Sequence, residues 1–185
     1  ELDEVARISD DNLPRYLVYR YKYVKFPQLK IVEAYPPCIQ VEPTSQCNFR
    51  CIMCYQIDKS FSSKSQGHMG HMSLNTFKAA VDQLEGNLEA VTLASRGEPT
   101  LNKQLGEMLK YANGKFLALK LNTNASLLTE KLTHDILQSD LQTLVFSADS
   151  ADPETYKKIR VNGNLDRVFQ NIENFNEIKS KHYSN

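Results

Sequence analysis

Residues 38–54 read CIQVEPTSQCNFRCIMC, a short β-type run followed at once by three closely spaced cysteines. In the run, Ile39 and Val41 alternate with polar residues, the pattern of a strand with one apolar and one polar face. The cysteines follow the spacing C-x3-C-x2-C and are Cys47, Cys51 and Cys54. Thiols on the loop after a strand of a parallel sheet would stand where such sheets build their active sites. The stretch therefore predicts a metal or cluster site at the end of a strand.

Further β-type runs follow this first run, Cys38–Glu42, and each precedes a helical pattern. They are Ala90–Ala94, Phe116–Asn122 and Thr143–Ser147. Capping residues stand at the starts of helical patterns: Ser73, Thr129 and the pair Asp152-Pro153. A second helical pattern after the last run places apolar residues on one side: Leu165, Val168, Phe169, Ile172 and Phe175. Strand and helix alternate four times, which predicts an α/β fold with a parallel sheet that curls as in a (β/α) barrel.

The third run shows most clearly that the strands have two different faces. Leu117, Leu119 and Leu121 share one face, and Lys120 and Asn122 lie on the other. If the aliphatic faces pack on helices, the polar faces line the inside of the curl. This predicts a cavity that holds a polar ligand, because closed barrels usually fill their interior with branched apolar residues. The alternative is that one strand has been placed in the wrong register.

Composition restricts the classes of function. The chain has 185 residues, 41% hydrophobic and 24% charged, with a formal net charge of zero. A chain with zero net charge has no overall positive electrostatic field that would attract nucleic acid or anionic membranes. No apolar run approaches the ~18 residues of a membrane span. The first eleven residues are too acidic for a signal peptide. All four cysteines lie within residues 38–54, which favours ligation in a reducing cytoplasm over a disulfide framework.

Residues 1–37 form an N-terminal extension of different character. Tyrosines interleave with basic residues there, from Arg15 to Lys30. Basic and aromatic residues together can bind nucleic acid. The favoured alternative is a helix that packs its aromatic rings on the barrel and leaves its basic tips in water.

Three thiolates by themselves leave two kinds of metal site open. A 4Fe–4S cluster normally takes four cysteine ligands, so three would leave one iron free for a ligand. A structural zinc ion would instead need a fourth protein ligand. Candidates for that ligand are Cys38, His68 and His71.

The cysteine motif after a first strand resembles that of the radical S-adenosylmethionine (radical SAM) superfamily. The resemblance implies that Cys47, Cys51 and Cys54 hold a 4Fe–4S cluster and that the methionyl group of SAM binds the open iron. It further implies an enzyme that cleaves SAM reductively to a 5′-deoxyadenosyl radical, which abstracts hydrogen from a substrate. In such chemistry the cofactor supplies the radical and the protein supplies binding and orientation.

Other segments resemble the SAM-binding segments of this family. Arg96-Gly97-Glu98-Pro99 follows the second strand and is similar to the family's GGEP segment, with Arg96 where the family often has the first glycine. The resemblance implies that Gly97, Glu98 and Pro99 contact the methionyl ammonium, and a carboxylate suits that role. Met53 stands where the family often has an aromatic residue near adenine, and Met is apolar and polarizable enough to serve.

The ends of the third and fourth strands also match. Asn122 begins a segment similar to the family's TNG-type strand end, and Ser147-Ala148-Asp149 is similar to its S-x-D segment. These matches imply that Asn122, Ser147 and Asp149 bind SAM. Arg160 stands where members with a C-terminal auxiliary-cluster (SPASM or twitch) domain place an arginine on the SAM carboxylate.

The resemblance covers most of residues 38–185, which we take as the radical SAM core domain. The family's barrel has six βα units, and the sequence predicts about four, so we expect a partial barrel from the N-terminal part of a longer enzyme. We expect poor turnover from this chain alone. The resemblance implies a flavodoxin- or ferredoxin-type electron donor, and the substrate could be a peptide, a sugar or a small molecule. The alternative is a non-catalytic iron–sulfur or zinc-binding module.

Overall fold

The computed structural model describes residues 5–6 and 8–183 and contains one four-stranded parallel sheet. The strands lie in the order β1-β2-β3-β4. Their bounds are β1 Cys38–Val41, β2 Ala90–Leu93, β3 Ala118–Thr123 and β4 Thr143–Phe146. The predicted α/β class, the parallel sheet and the four βα units are confirmed, and the strand bounds differ from the predicted ones by one or two residues.

A helix precedes β1, and helices follow every strand. They are α1 Leu13–Leu29, α2 Lys59–Ser62, α3 Leu74–Leu84, α4 Leu105–Ala112, α5 Glu130–Leu137, α6 Pro153–Ile159 and α7 Leu165–His182. The side chains of Ser73, Thr129 and Asp152 each accept a backbone N–H in the first turn of their helix, so all three predicted caps are confirmed. Within the described residues, no helix combines the length and the apolar character needed to cross a membrane.

Rows of residues across the sheet alternate between apolar and polar. One row consists of Val41, Leu93, Leu121 and Leu144. The neighbouring row consists of Gln40, Thr92, Lys120 and Thr143. Because successive side chains point to opposite faces, the sheet has one apolar face and one polar face. The predicted faces are therefore right, and the alternative of a register error in one strand is wrong.

The core lies between the apolar face of the sheet and the helices. Leu93, Leu119 and Leu121 are at most 1% exposed. The apolar side predicted for α7 is buried unevenly, because Val168 is 1% exposed and Phe169 is 40% exposed. Phe169 stands at the edge of the apolar stripe of α7, where the helix surface turns toward solvent.

The N-terminal helix α1 packs less closely than predicted. Tyr16 is the buried residue of α1, and Arg15 pairs with Glu89 at 2.7 Å. Tyr21 and Tyr23 are 56% and 47% exposed, so the prediction that the aromatic rings pack on the barrel is wrong for these two. The apolar residues of α1 are spread around the helix, so no single orientation could bury them together.

Candidate functional site

A cavity of about 280 Å³ opens where the loops after all four strands meet. Its wall contains every site residue predicted from the sequence except Pro99: Cys47, Cys51, Met53, Cys54, Gly97, Glu98, Asn122, Ser147, Asp149 and Arg160. Pro99 is buried behind the wall, at the start of the 3-10 turn Pro99–Leu101. The fold therefore brings together residues that are more than a hundred positions apart in the chain.

The three thiols of the motif are free and lie on one tight loop. Cys51 is 7% exposed, and the backbone N–H of Cys54 donates to its carbonyl oxygen at 2.9 Å. The N–H of Phe49 donates to the sulfur of Cys47 at 3.4 Å, and Nη1 of Arg160 donates to the sulfur of Cys51 at 3.6 Å. Hydrogen bonds to cysteine sulfurs are typical of iron–sulfur sites, where they adjust the reduction potential of the cluster.

Burial dominates the acidity of two of these thiols. Burial raises the pKa of the Cys47 thiol above its usual value, and the hydrogen bond from Phe49 opposes this. Burial likewise raises the pKa of Cys51, against the lowering effect of the Arg160 cation. A raised pKa favours the protonated thiol, so a metal bound by these sulfurs would displace their protons.

The turn that follows β2 packs directly on the cysteine loop. A side-chain carbon at Gly97 would lie 1.8 Å from the carbonyl oxygen of Thr44 and 2.7 Å from that of Gln46. The next residue, Glu98, donates its N–H to the same Gln46 carbonyl at 2.8 Å. Only glycine permits this approach, so the requirement for Gly97 comes from contact between two loops.

Glu98 is 3% exposed and connects β2 to β3. Its Oε1 accepts the side-chain hydroxyls of Thr100 and Thr123 at 2.7 and 2.6 Å and the N–H of Thr100 at 3.1 Å. Its Oε2 accepts the N–H of Asn124 at 2.7 Å. Because Oε2 accepts fewer hydrogen bonds than Oε1, it can accept one more, for example from an ammonium group.

Arg96, the residue that departs from the family pattern, has its own partners. Its guanidinium pairs with the carboxylate of Glu42 at 2.9 Å and lies 4.7 Å from the centre of the Phe61 ring. Its backbone N–H also donates to Glu42, at 2.8 Å. The arginine therefore ties the end of β1 to the turn after β2.

The ends of β3 and β4 complete the cavity. The side-chain oxygen of Asn122 is buried and has no hydrogen-bond partner among the described residues. Asn124 donates to the side chain of Asn48 at 2.9 Å and so holds the cysteine loop against β3. Asp149 accepts a hydrogen bond from Nε of Arg160 at 2.5 Å, so these two predicted SAM contacts are also partners of each other. A buried oxygen without a partner fits a site that binds a polar ligand.

Gln56 is a structural residue of the site that the sequence does not indicate. It is 1% exposed, and its side-chain amide donates to the carbonyls of Ser45 at 2.7 Å and Arg96 at 2.8 Å. It thereby joins the cysteine loop to the turn after β2. A glutamine just after a cysteine motif carries no sequence signal, because its role depends on two loops that meet only in the folded chain.

The candidate fourth ligands for zinc lie apart from the cavity. His68 and His71 are exposed, and His68 stacks on Phe61 at 5.8 Å between ring centres. Cys38 begins β1, at the end of the strand away from the cysteine loop. Among residues 5–6 and 8–183, no three His, Cys, Asp or Glu side chains are grouped so that they could hold a single metal ion.

Fold and site together define an α/β domain with three thiols and a polar cavity at the carboxyl ends of its parallel strands. The family model of the radical SAM superfamily matches residues 41–185 of this chain. The chain therefore belongs to the radical SAM superfamily, whose cofactors are a 4Fe–4S cluster and SAM. The resemblance drawn from the motifs is confirmed.

Known proteins similar to this chain include enzymes of different chemistry. The mycofactocin maturase MftC of Mycolicibacterium smegmatis is 27% identical over 139 residues, which cover 75% of this chain and 34% of the maturase. A probable GTP 3′,8-cyclase of Methanococcus maripaludis is 31% identical over 137 residues, which cover 73% of this chain and 44% of the cyclase. The chain thus spans less than half the length of these relatives.

A solved structure with a similar fold is that of Streptococcus suis SuiB bound to S-adenosylmethionine. The two chains superpose with a TM-score of 0.63 at 18% sequence identity, over 92% of this chain and 38% of SuiB. At this identity the likeness concerns the fold, and it confirms the partial (β/α) barrel that the sequence predicts.

Proposed function

We propose that this chain is the cluster- and SAM-binding part of a radical SAM enzyme. The observation that carries the proposal is the shared cavity, in which three thiols, a glycine–glutamate turn and the polar ends of β3 and β4 face one another. Family membership indicates which cofactors to expect, and the side chains of the cavity have chemistry that suits those cofactors.

The three cysteines would hold the cluster. Cys47, Cys51 and Cys54 line one wall of the cavity, and membership of the radical SAM superfamily favours a 4Fe–4S cluster on these thiols. Three thiolate ligands would leave one iron of a 4Fe–4S cluster for a non-protein ligand. These points favour the cluster over the zinc-binding alternative.

The remaining wall residues would bind and orient SAM. The Oε2 of Glu98 and the unpartnered oxygen of Asn122 are acceptors for an ammonium or hydroxyl group. Ser147 and Asp149 extend this polar surface, and Arg160 adds a cation for the SAM carboxylate. Met53, which is 59% exposed, offers an apolar surface for adenine. When bound, the cluster and SAM would supply a 5′-deoxyadenosyl radical that abstracts hydrogen from the substrate.

For the complete protein we propose a peptide substrate, a cytoplasmic location and an electron donor of the flavodoxin or ferredoxin type. The peptide is supported by relatives: MftC is a maturase, and one SuiB structure is bound to its precursor peptide SuiA. These relatives are of the SPASM type that the position of Arg160 predicts. A probable GTP cyclase among the relatives makes a small-molecule substrate the second candidate.

The test is anaerobic reconstitution with iron and sulfide, followed by reduction with dithionite in the presence of SAM. We expect about four irons per chain, on the basis of the family's cluster type, and release of 5′-deoxyadenosine. The variant Cys51→Ala should lose both. Cys38→Ala is the matched control and should keep both, because Cys38 lies on β1 away from the cavity. Tightly held zinc with no SAM binding would instead support the non-catalytic module.

A further inference from the structure

Arg160 is held between a cluster ligand and a carboxylate. It follows α6, its side chain is 14% exposed, and its Nη1 donates to the sulfur of Cys51 at 3.6 Å. Its Nε donates to Asp149 at 2.5 Å. The guanidinium therefore has one N–H on the thiol and another on an anchor, which fixes its orientation.

The backbone on both sides of Arg160 is paired with the backbone on both sides of Cys51. The N–H of Arg50 donates to the carbonyl of Val161 at 2.9 Å, and the N–H of Ile52 donates to the carbonyl of Ile159 at 3.0 Å. These two hydrogen bonds hold the segment around Cys51 against the end of α6, beside Arg160. The contact between the two side chains is therefore flanked on both sides by backbone hydrogen bonds that hold the two segments together.

A donor and positive charge at a ligand sulfur acts on the electron affinity of a cluster. Reduction adds a negative charge, and hydrogen bonds to the sulfurs together with the local charge set the reduction potential of iron–sulfur clusters. Because Arg160 is mostly shielded from water, its effect on Cys51 is screened less than that of an exposed cation.

We propose that Arg160 positions a hydrogen bond on the sulfur of Cys51 and thereby shifts the bound cluster toward its reduced form. The proposal rests on the proposed function, since it requires that the cysteines hold a cluster. It gives Arg160 a role that exists before SAM binds, distinct from contact with the SAM carboxylate. Asp149 acts as the anchor that orients the guanidinium.

The test compares two variants that remove the same charge from the same segment. Arg160→Gln removes the donor to Cys51, whereas Lys157→Gln removes an exposed cation of α6. The reduction of each reconstituted chain is followed by electron paramagnetic resonance at controlled potentials, without SAM. We expect Arg160→Gln to shift the equilibrium about tenfold toward the oxidised form, about 59 mV for one electron. Lys157→Gln should shift it less than about twofold, as a screened surface charge does.

Iron content separates the possible failures. A wild-type chain that binds no cluster contradicts the proposed function itself. If the cluster forms normally in Arg160→Gln and has the wild-type reduction potential, the proposed role of Arg160 is wrong, although the proposed function stands. If Arg160→Gln and Lys157→Gln shift the reduction potential equally, the effect comes from the overall positive charge and not from the hydrogen bond to Cys51. If Arg160→Gln loses its iron, Arg160→Lys decides the question. Lysine keeps the charge but lacks the fork that spans Asp149 and Cys51, so a wild-type potential in that variant overturns the proposal.

Discussion

Replacing Gly97 with alanine tests the contact that joins the two central loops of the site. The new carbon would lie 1.8 Å from the carbonyl oxygen of Thr44, whereas carbon and oxygen normally approach to about 3.3 Å. One of the two backbones must therefore move by about 1.5 Å. Neither can do so freely, because Glu98 is hydrogen-bonded to Gln46 and the side chain of Thr44 is hydrogen-bonded to the carbonyl of Gly70.

The expected cost follows from this displacement. Overpacking of a well-packed interior typically costs about 1–3 kcal/mol. The clash at Gly97 involves a backbone oxygen instead of the end of a flexible side chain, so we expect a loss of about 3 kcal/mol in the free energy of unfolding. For a chain of this size that corresponds to a decrease of about 6–12 °C in Tm. The shifted cysteine loop should also hold less iron after reconstitution.

Gly70→Ala is the matched control for this experiment. A side-chain carbon at Gly70 would have no atom within 4 Å, although Gly70 belongs to the same network of loop contacts. Its free energy of unfolding should stay within about 0.5 kcal/mol of the wild-type value. Urea unfolding and iron analysis of the two variants give the comparison. If Gly97→Ala matches the wild type in both measurements, the close contact between the loops does not exist as described.

Three further predictions concern buried groups in the site and in the adjoining helix α6. Glu98→Gln should lower the free energy of unfolding by about 2 kcal/mol, because the replacement amide cannot accept all four hydrogen bonds that Glu98 accepts. The control Glu107→Gln, at an exposed position, should change the free energy of unfolding by less than about 0.5 kcal/mol. Equal effects of the two variants in urea unfolding would contradict this prediction. In the metal-free protein, Cys47 and Cys51 should react slowly with iodoacetamide at pH 8 and faster as the pH rises. The reason is that burial raises the pKa of both thiols and only the thiolate reacts. Mass spectrometry that finds them as reactive as a free thiol would contradict this prediction. Tyr156→Phe should leave the metal-free protein as stable as the wild type or up to about 1 kcal/mol more stable. The reason is that the Tyr156 hydroxyl is buried and has no hydrogen-bond partner among the described residues. A marked decrease in Tm would show that the hydroxyl has a hydrogen-bond partner.

Patterns within short stretches predicted the fold well. The strand periodicity, the caps at Ser73, Thr129 and Asp152 and the alternation of strand and helix are local features, and the structure reproduces them. Predictions about the surroundings of single residues were less successful. Phe169 lies at the edge of its helix stripe, and α1 leaves Tyr21 exposed, because burial depends on which neighbours reach a given helix face.

The groups available for chemistry can be read along the chain: three thiols in a fixed spacing, a glycine–glutamate turn, and polar residues at the ends of two strands. A parallel sheet then places these segments at one edge, since the carboxyl ends of its strands meet there. How these segments contact one another depends on the folded chain. The fit of Gly97 against Thr44, the hydrogen bond from Gln56 to Arg96 and the contact of Arg160 with Cys51 join residues about 40 to 110 positions apart. No local pattern encodes such contacts, because they depend on how separate loops pack once the sheet has formed.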